Sequence, residues 1–122
     1  MLFRSLQPAA SVDDMLALRA GVKEIYVHDA IKRYAIDIVR ATRDAAETRL
    51  GAGPRASIAF LRVAQALALF EGLAYVTPDH LHACAAQVIA HRIVVDEQSK
   101  FAGVTGESIV ARILASLPVP EV

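Results

Sequence analysis

Proline at position 54 follows Gly51-Ala52-Gly53 and precedes an apolar run from Ile58 to Phe70. That placement constrains the chain more than any other feature. Proline has no N–H to donate and a φ already near the helical value, so it suits the first position of a helix and no later one. Gly53 is then the cap, weaker than serine by a few tenths of a kcal/mol. The spacing predicts a helix from Pro54 to about Glu71, apolar almost all round through Ile58, Phe60, Leu61, Val63, Leu67, Leu69 and Phe70. Such a helix belongs in the middle of a bundle. Arg55 runs against this start. A cation in the first turn faces the positive end of the helix dipole at a cost of about 0.3–1 kcal/mol, so it calls for an anionic partner.

The other boundaries divide the chain into further helices. Residues 1–10 read as a linker, and Ser11 caps a first helix with Asp13 and Asp14 in its opening turn. Met15, Leu16 and Leu18 give that helix an apolar side, and Gly21 is its expected end. His28-Asp29 opens a second helix in which Ile31, Tyr34, Ala35, Ile38 and Val39 recur at helical spacing, running to Thr42 or Arg43. Glu47-Thr48-Arg49 reads as a solvated loop, and Gly72 stops the third helix. Thr77-Pro78-Asp79 supplies cap, first-position proline and first-turn acid for a fourth, with Leu81, Cys84, Ala85, Val88 and Ile89 facing inward. Ile25-Tyr26-Val27 and Ile93-Val94-Val95 have an extended bias and are expected to pair as a very short two-stranded patch. Asp96 to Gly106 reads as a mobile loop. A last helix spans Ser108 to Leu117, closed by Pro118-Val119-Pro120. The expected fold is all-α, one domain over residues 11–122, a bundle of four to five helices.

Composition narrows the functions such a bundle can carry. Thirteen basic residues balance thirteen acidic ones without a basic stripe, which argues against nucleic acid as a partner. No apolar run approaches the ~20 residues of a membrane span, and the first residues lack the apolar core of a secretory signal, so a cytoplasmic location is expected. Cys84 has no second cysteine to pair with and sits among apolar neighbours as a core thiol. The four histidines, His28, His80, His82 and His91, form no pair at helical metal-ligand spacing, so no metal site is expected. There is no Gly-x-Ser-x-Gly turn for a nucleophile and no phosphate-cradling P-loop, so this chain by itself should not hydrolyse nucleotide.

Arg55 remains. Beside free backbone N–H groups at a helix start, its guanidinium makes a site for a phosphate oxyanion. Arg62 lies seven residues on, on the same face, with Ala59 and Ala66 between. The competing account is that Arg55 is simply solvated, or pairs with a carboxylate such as Glu47.

A family pattern bears on that choice. Gly51-Ala52-Gly53-Pro54-Arg55-Ala56, Ala64-Gln65-Ala66-Leu67-Ala68, Gly72, Tyr75-Val76-Thr77-Pro78-Asp79 and His91-Arg92 resemble, in order and spacing, the C-terminal lid of MoxR-family AAA+ ATPases. Tyr34 to Arg43 resembles the helix that precedes them, so the likeness covers Ser11 to the C-terminus. The Walker A, Walker B and sensor 1 elements of that family are absent from this chain, which reads as an excised lid or a truncated product. The resemblance implies that Arg55 is the sensor 2 arginine, catalytic only with the core domain present, and that Gly53, Pro54 and Arg55 contribute to the nucleotide site. It implies ATP and Mg in the full-length parent, neither held tightly by this chain. It further implies a core domain and neighbouring ring subunits as partners, with proteins carrying von Willebrand A domains, in chaperone-like remodelling or maturation. Gly53 stands where the family commonly has serine, which weakens the cap. Arg43 and His91-Arg92 also match, and are expected to serve packing or subunit contact. Two other readings stay open: a free-standing helical interaction adaptor, and a histone-like DNA-binding bundle that the balanced charge disfavours.

Overall fold

A computed structural model describes residues 6–121. The elements in order are α1 (Val12–Glu24), α2 (Asp29–Asp44), β1 (Thr48–Leu50), α3 (Pro54–Phe70), α4 (Pro78–Ile89), a 3-10 turn (Ala90–Arg92), β2 (Val94–Val95), α5 (Glu97–Phe101) and α6 (Gly106–Ser116). The expected all-α bundle is present, with six α-helices among the described residues rather than four or five. The linker expected over residues 1–10 lies partly outside the described residues, and its Leu6–Ala10 part holds no helix or strand.

Burial follows the helical stripes. α2 buries Ile31, Tyr34, Ala35, Ile38 and Val39, as its spacing predicts. α4 buries Leu81, Cys84, Ala85, Val88 and Ile89, the face read from the sequence. α3 packs against α1, α2 and α4. Its buried line of residues one turn apart is Ala56, Phe60, Ala64 and Ala68, and its three alanines let neighbouring helices approach closely. α3 takes the expected place in the middle of the bundle, but its neighbours do not cover all of its apolar surface. Ile58 is 64% exposed and Phe70 75%, because the helices packed on α3 leave part of its circumference open. Gly72 ends α3 at φ +76°, a left-handed conformation suited to glycine. Beside it, the Gly72 and Leu73 N–H groups donate to Leu69 and Ala68 carbonyls.

Four local expectations are corrected. First, α1 continues past Gly21 to Glu24, and buries none of its residues: Met15, Leu16 and Leu18 are all exposed. Its start is as expected, with Ser11 and Asp14 capping each other reciprocally at 2.9 and 3.0 Å. Gly21 lies inside the helix facing Leu69 on α3, where an added Cβ would make only ordinary contact at 3.8 Å, so it neither ends the helix nor is required for the approach of α3. Second, Ile25-Tyr26-Val27 does not pair with Ile93-Val94-Val95. Tyr26 bridges Tyr75 in parallel, while Val94–Val95 pairs antiparallel with Thr48–Leu50. Third, Glu47-Thr48-Arg49 is not a solvated loop: Thr48 and Arg49 are the first two residues of β1. Fourth, Asp96 to Gly106 is not a free loop: Asp96 caps the short α5 by accepting from the Ser99 N–H at 2.8 Å. α6 begins at Gly106 under a Thr105 cap, two residues before the expected start.

One ion pair clamps this ribbon to the bundle. Glu47 accepts two hydrogen bonds from the Arg112 guanidinium, both 2.7 Å, joining the segment before β1 to α6. Those bonds hold the Glu47 carboxyl down at about 2. Its contribution to stability is therefore complete above the ordinary glutamate range and is lost as pH falls through about 2. Acid unfolding followed by circular dichroism is expected to cost the parent more stability between pH 4.5 and 2 than it costs Arg112→Ala. Equal acid losses would show that the clamp is not stabilising.

Candidate functional site

The turn ahead of α3 is assembled from α2. The Ala52 N–H donates to Thr42 Oγ1 at 3.1 Å, and the Thr42 hydroxyl donates to the Val39 carbonyl at 2.6 Å. Thr42 and Ala52 are both fully buried. Gly51 lies so close to α2 that an added Cβ would fall 2.6 Å from the Arg43 Cα and 2.7 Å from its backbone N. Only a residue without a side chain permits that approach. The Gly-Ala-Gly-Pro sequence thus has a different reason at each position: contact at Gly51, a buried hydrogen bond at Ala52, a cap at Gly53 and a helix start at Pro54.

Gly53 caps α3 in an extended conformation, φ −91° and ψ −179°, with no side-chain cap hydrogen bond. An added Cβ there would meet nothing within 4 Å. Gly53→Ser is expected to raise the stability of the chain by a few tenths of a kcal/mol by supplying the missing acceptor. A lower midpoint in denaturant would show that the open space at Gly53 is not available to a cap.

Arg55 projects from the first turn of α3 and is exposed. Among the described residues it makes no salt bridge, and the carboxylate proposed as its partner, Glu47, is held by Arg112. Arg62 is also exposed, at the edge of hydrogen-bond range of Gln65 Oε1, 3.5 Å from its Nη1. Ala59 and Ala66 are half-buried. The first turn of α3 therefore carries a cation with no counter-charge among the described residues, beside a helix end with an open cap.

Two polar side chains unsuspected as structural devices secure the rest. Gln65, buried, donates from Nε2 to the Ile25 carbonyl at 2.8 Å and fixes the segment between α1 and α2 to α3. Its surroundings in sequence are alanine and leucine, and a lone glutamine on an otherwise apolar face was the available signal. His80, 4% exposed, accepts the Thr77 N–H at Nδ1 over 2.9 Å. Its Nε2 therefore carries the ring proton and donates to Glu71 at 2.8 Å, stapling the end of α3 to the start of α4.

The remaining histidines are dispersed. His82 meets the Tyr34 hydroxyl at 2.7 Å, His28 caps α2 by accepting from the Ala30 N–H at 3.0 Å, and His91 is exposed. Among the described residues no group of three or more His, Cys, Asp or Glu is placed to hold a metal ion. Cys84 is buried with its thiol pushed up to about 11 by desolvation, as fits a core thiol. Arg92 donates from Nε to the Val88 carbonyl at 3.2 Å, while Arg43 is exposed over the backbone that Gly51 approaches. Among the described residues no helix is long and apolar enough to cross a membrane.

Comparison with known proteins extends these observations. The sequence profile of the AAA lid domain matches residues 40–113. The chain is 35% identical over 116 residues to the uncharacterized protein YeaC of Bacillus subtilis, covering 95% of this chain and 36% of YeaC. It is 29% identical over 121 residues to Chaperone MoxR1 of Mycobacterium tuberculosis, covering 92% of this chain and 32% of that protein. The crystal structure of a provisionally assigned ATPase from Cytophaga hutchinsonii superposes with a TM-score of 0.84 at 28% identity, over 89% of this chain and 36% of that one. The chain spans about a third of the length of these relatives.

Proposed function

The chain belongs to the AAA lid domain family, and from that membership we propose that it is the lid of a MoxR-like AAA+ ATPase in which Arg55 is the sensor 2 arginine. The observation that carries this reading is the exposed Arg55 in the first turn of α3, which makes no salt bridge among the described residues. A guanidinium with no counter-charge, next to a helix N-terminus with room at its cap, fits the terminal phosphate of ATP held on a separate core domain. Residues 11–122 form the lid, and residues 1–10 form the linker from that core.

Within this reading Gly53 and Pro54 bring backbone and helix dipole up to the phosphate, and Arg55 donates to its oxygens. Donors aimed at charge that grows during phosphoryl transfer lower the barrier, and losing that contact after hydrolysis releases the lid from its closed angle. Mg and the groups that orient the attacking water belong to the core. The lid converts nucleotide state into movement within an oligomeric ring, where it touches its own core and neighbouring subunits. Likeness to Chaperone MoxR1 supports a chaperone-like role in remodelling or maturing partner proteins. Proteins with von Willebrand A domains are the partners we propose, in the cytoplasm.

ATP turnover by the intact ATPase with Arg55→Ala tests the proposal. Turnover equal to that of the parent would reject it.

A further inference from the structure

We infer that Thr42 is a positioning residue for Arg55, its buried hydroxyl setting the turn from which α3 and the arginine project. This rests on the reading of Arg55 as a phosphate sensor. The open cap at Gly53 contributes no side-chain bond to the start of α3, and Arg55 makes no salt bridge among the described residues. Packing on α1, α2 and α4 fixes the body of α3, with Ala56 buried in its first turn, so what is left to set the entry of the chain into that turn is the segment just upstream. Two features act there. The contact of Gly51 with Arg43 is steric and only excludes positions. The bond from Ala52 to Thr42 is directional, lies three residues before Arg55, and is sealed from water because both residues are fully buried.

The packing of α2 does not ask for a hydroxyl at this place. Ile38 and Val39 carry its apolar face, and valine has the shape to fill the site of Thr42. A threonine bonded back to its own helix is, if anything, mildly unfavourable there. The hydroxyl is accounted for by its second bond: it satisfies the Val39 carbonyl with its proton and the Ala52 N–H with a lone pair. Remove it, and a buried N–H loses its acceptor in a place water cannot reach. The turn must then shift to find another, and the opening residues of α3, which begins two residues after Ala52, shift with it. Misplacing a catalytic group by about 1 Å can cost 10²-fold in rate, so a small displacement suffices.

The experiment combines Thr42→Val, Thr42→Ser and Arg55→Ala, with the Thr42→Val/Arg55→Ala pair, in the full-length ATPase that carries this lid. Thr42→Val is expected to lower kcat about ten- to a hundredfold with KM for ATP within about twofold. Thr42→Ser, which keeps the hydroxyl, is expected to stay within about twofold of the parent in both. The pair is expected to be no slower than Arg55→Ala, because the threonine has nothing left to position. In the 122-residue chain, Thr42→Val is expected to speed amide exchange at Ala52 by about tenfold or more while the α4 core amides keep their rates. Should valine at this position prevent folding, Thr42→Ala carries the same comparison. A Thr42→Val enzyme with parental kcat beside a crippled Arg55→Ala would overturn the inference and leave the sensor reading intact, as would losses that multiply in the pair. A fully active Arg55→Ala enzyme rejects the sensor reading, and the positioning role with it.

Discussion

Arg55→Ala is expected to leave the 122-residue chain melting at, or up to about 4 °C above, the parent temperature, while the intact ATPase loses about two to three orders of magnitude in kcat. The two halves of that result come from the same geometry. Arg55 is exposed and unpaired among the described residues, so its removal breaks no internal contact. It also relieves a cation from the positive end of the helix dipole, worth about 0.3–1 kcal/mol. A side chain that the fold would be better without fits the role proposed for it outside the fold. Arg55→Lys keeps the charge but not the planar fork, and is expected to fall between parent and alanine in turnover. Calorimetric melting and steady-state ATPase assays read the two halves separately. A melting temperature lowered by more than about 5 °C would show Arg55 to be a structural residue and remove the argument.

Gly51→Ala is expected to do the reverse and damage the chain itself. The new Cβ would lie 2.6 Å from both Cα and Cγ of Arg43 and 2.7 Å from its backbone N. A side-chain tip could swing away, but a helix backbone cannot, so the turn or α2 must shift. Such overpacking costs about 1–3 kcal/mol, or roughly 4–12 °C of melting temperature in a chain this size. Arg43→Ala is not expected to rescue it, since two of the three obstructing atoms belong to the backbone. Chemical denaturation of the single and double variants decides this. Gly51→Ala with the parental midpoint would mean the turn has slack that the geometry does not show.

The contrast between Gly51 and Gly53 shows where the sequence was readable and where it was not. Helix starts at Ser11, Pro54 and Pro78 were legible because cap, proline and first-turn acid are local rules. The inner faces of α2 and α4 were legible because both helices have one apolar stripe and one polar side. The cover of α3 was misread, since an apolar residue on every side does not say how much of the surface its neighbours cover; Ile58 and Phe70 lie on the uncovered part. The strand pairing was misread for a related reason. β-branched residues mark Val94–Val95 as extended, but its partner Thr48–Leu50 has little strand character of its own. That segment is placed by the end of α2 and by the grip of Arg112 on Glu47. At the site, the exposed arginine could be picked out from its conflict with the helix dipole. Its support could not. Thr42 sits in α2, and nothing local distinguishes a buried hydroxyl that holds a turn from one that faces water.

The β1–β2 ribbon has a kinetic meaning as well. Its strands lie on either side of the whole α3–α4 hairpin, so Thr48–Leu50 can meet Val94–Val95 only by closing a loop that contains both helices. Closing that loop from a disordered chain costs more entropy than joining two helices across a short connection, and long-range pairings of this kind slow folding. A preformed α3–α4 hairpin reduces the cost by bringing the strand ends back near each other. Loop-closure entropy therefore favours the hairpin forming before the ribbon. The turn that launches Arg55 leaves directly from β1, so closing the ribbon also fixes the base of that turn.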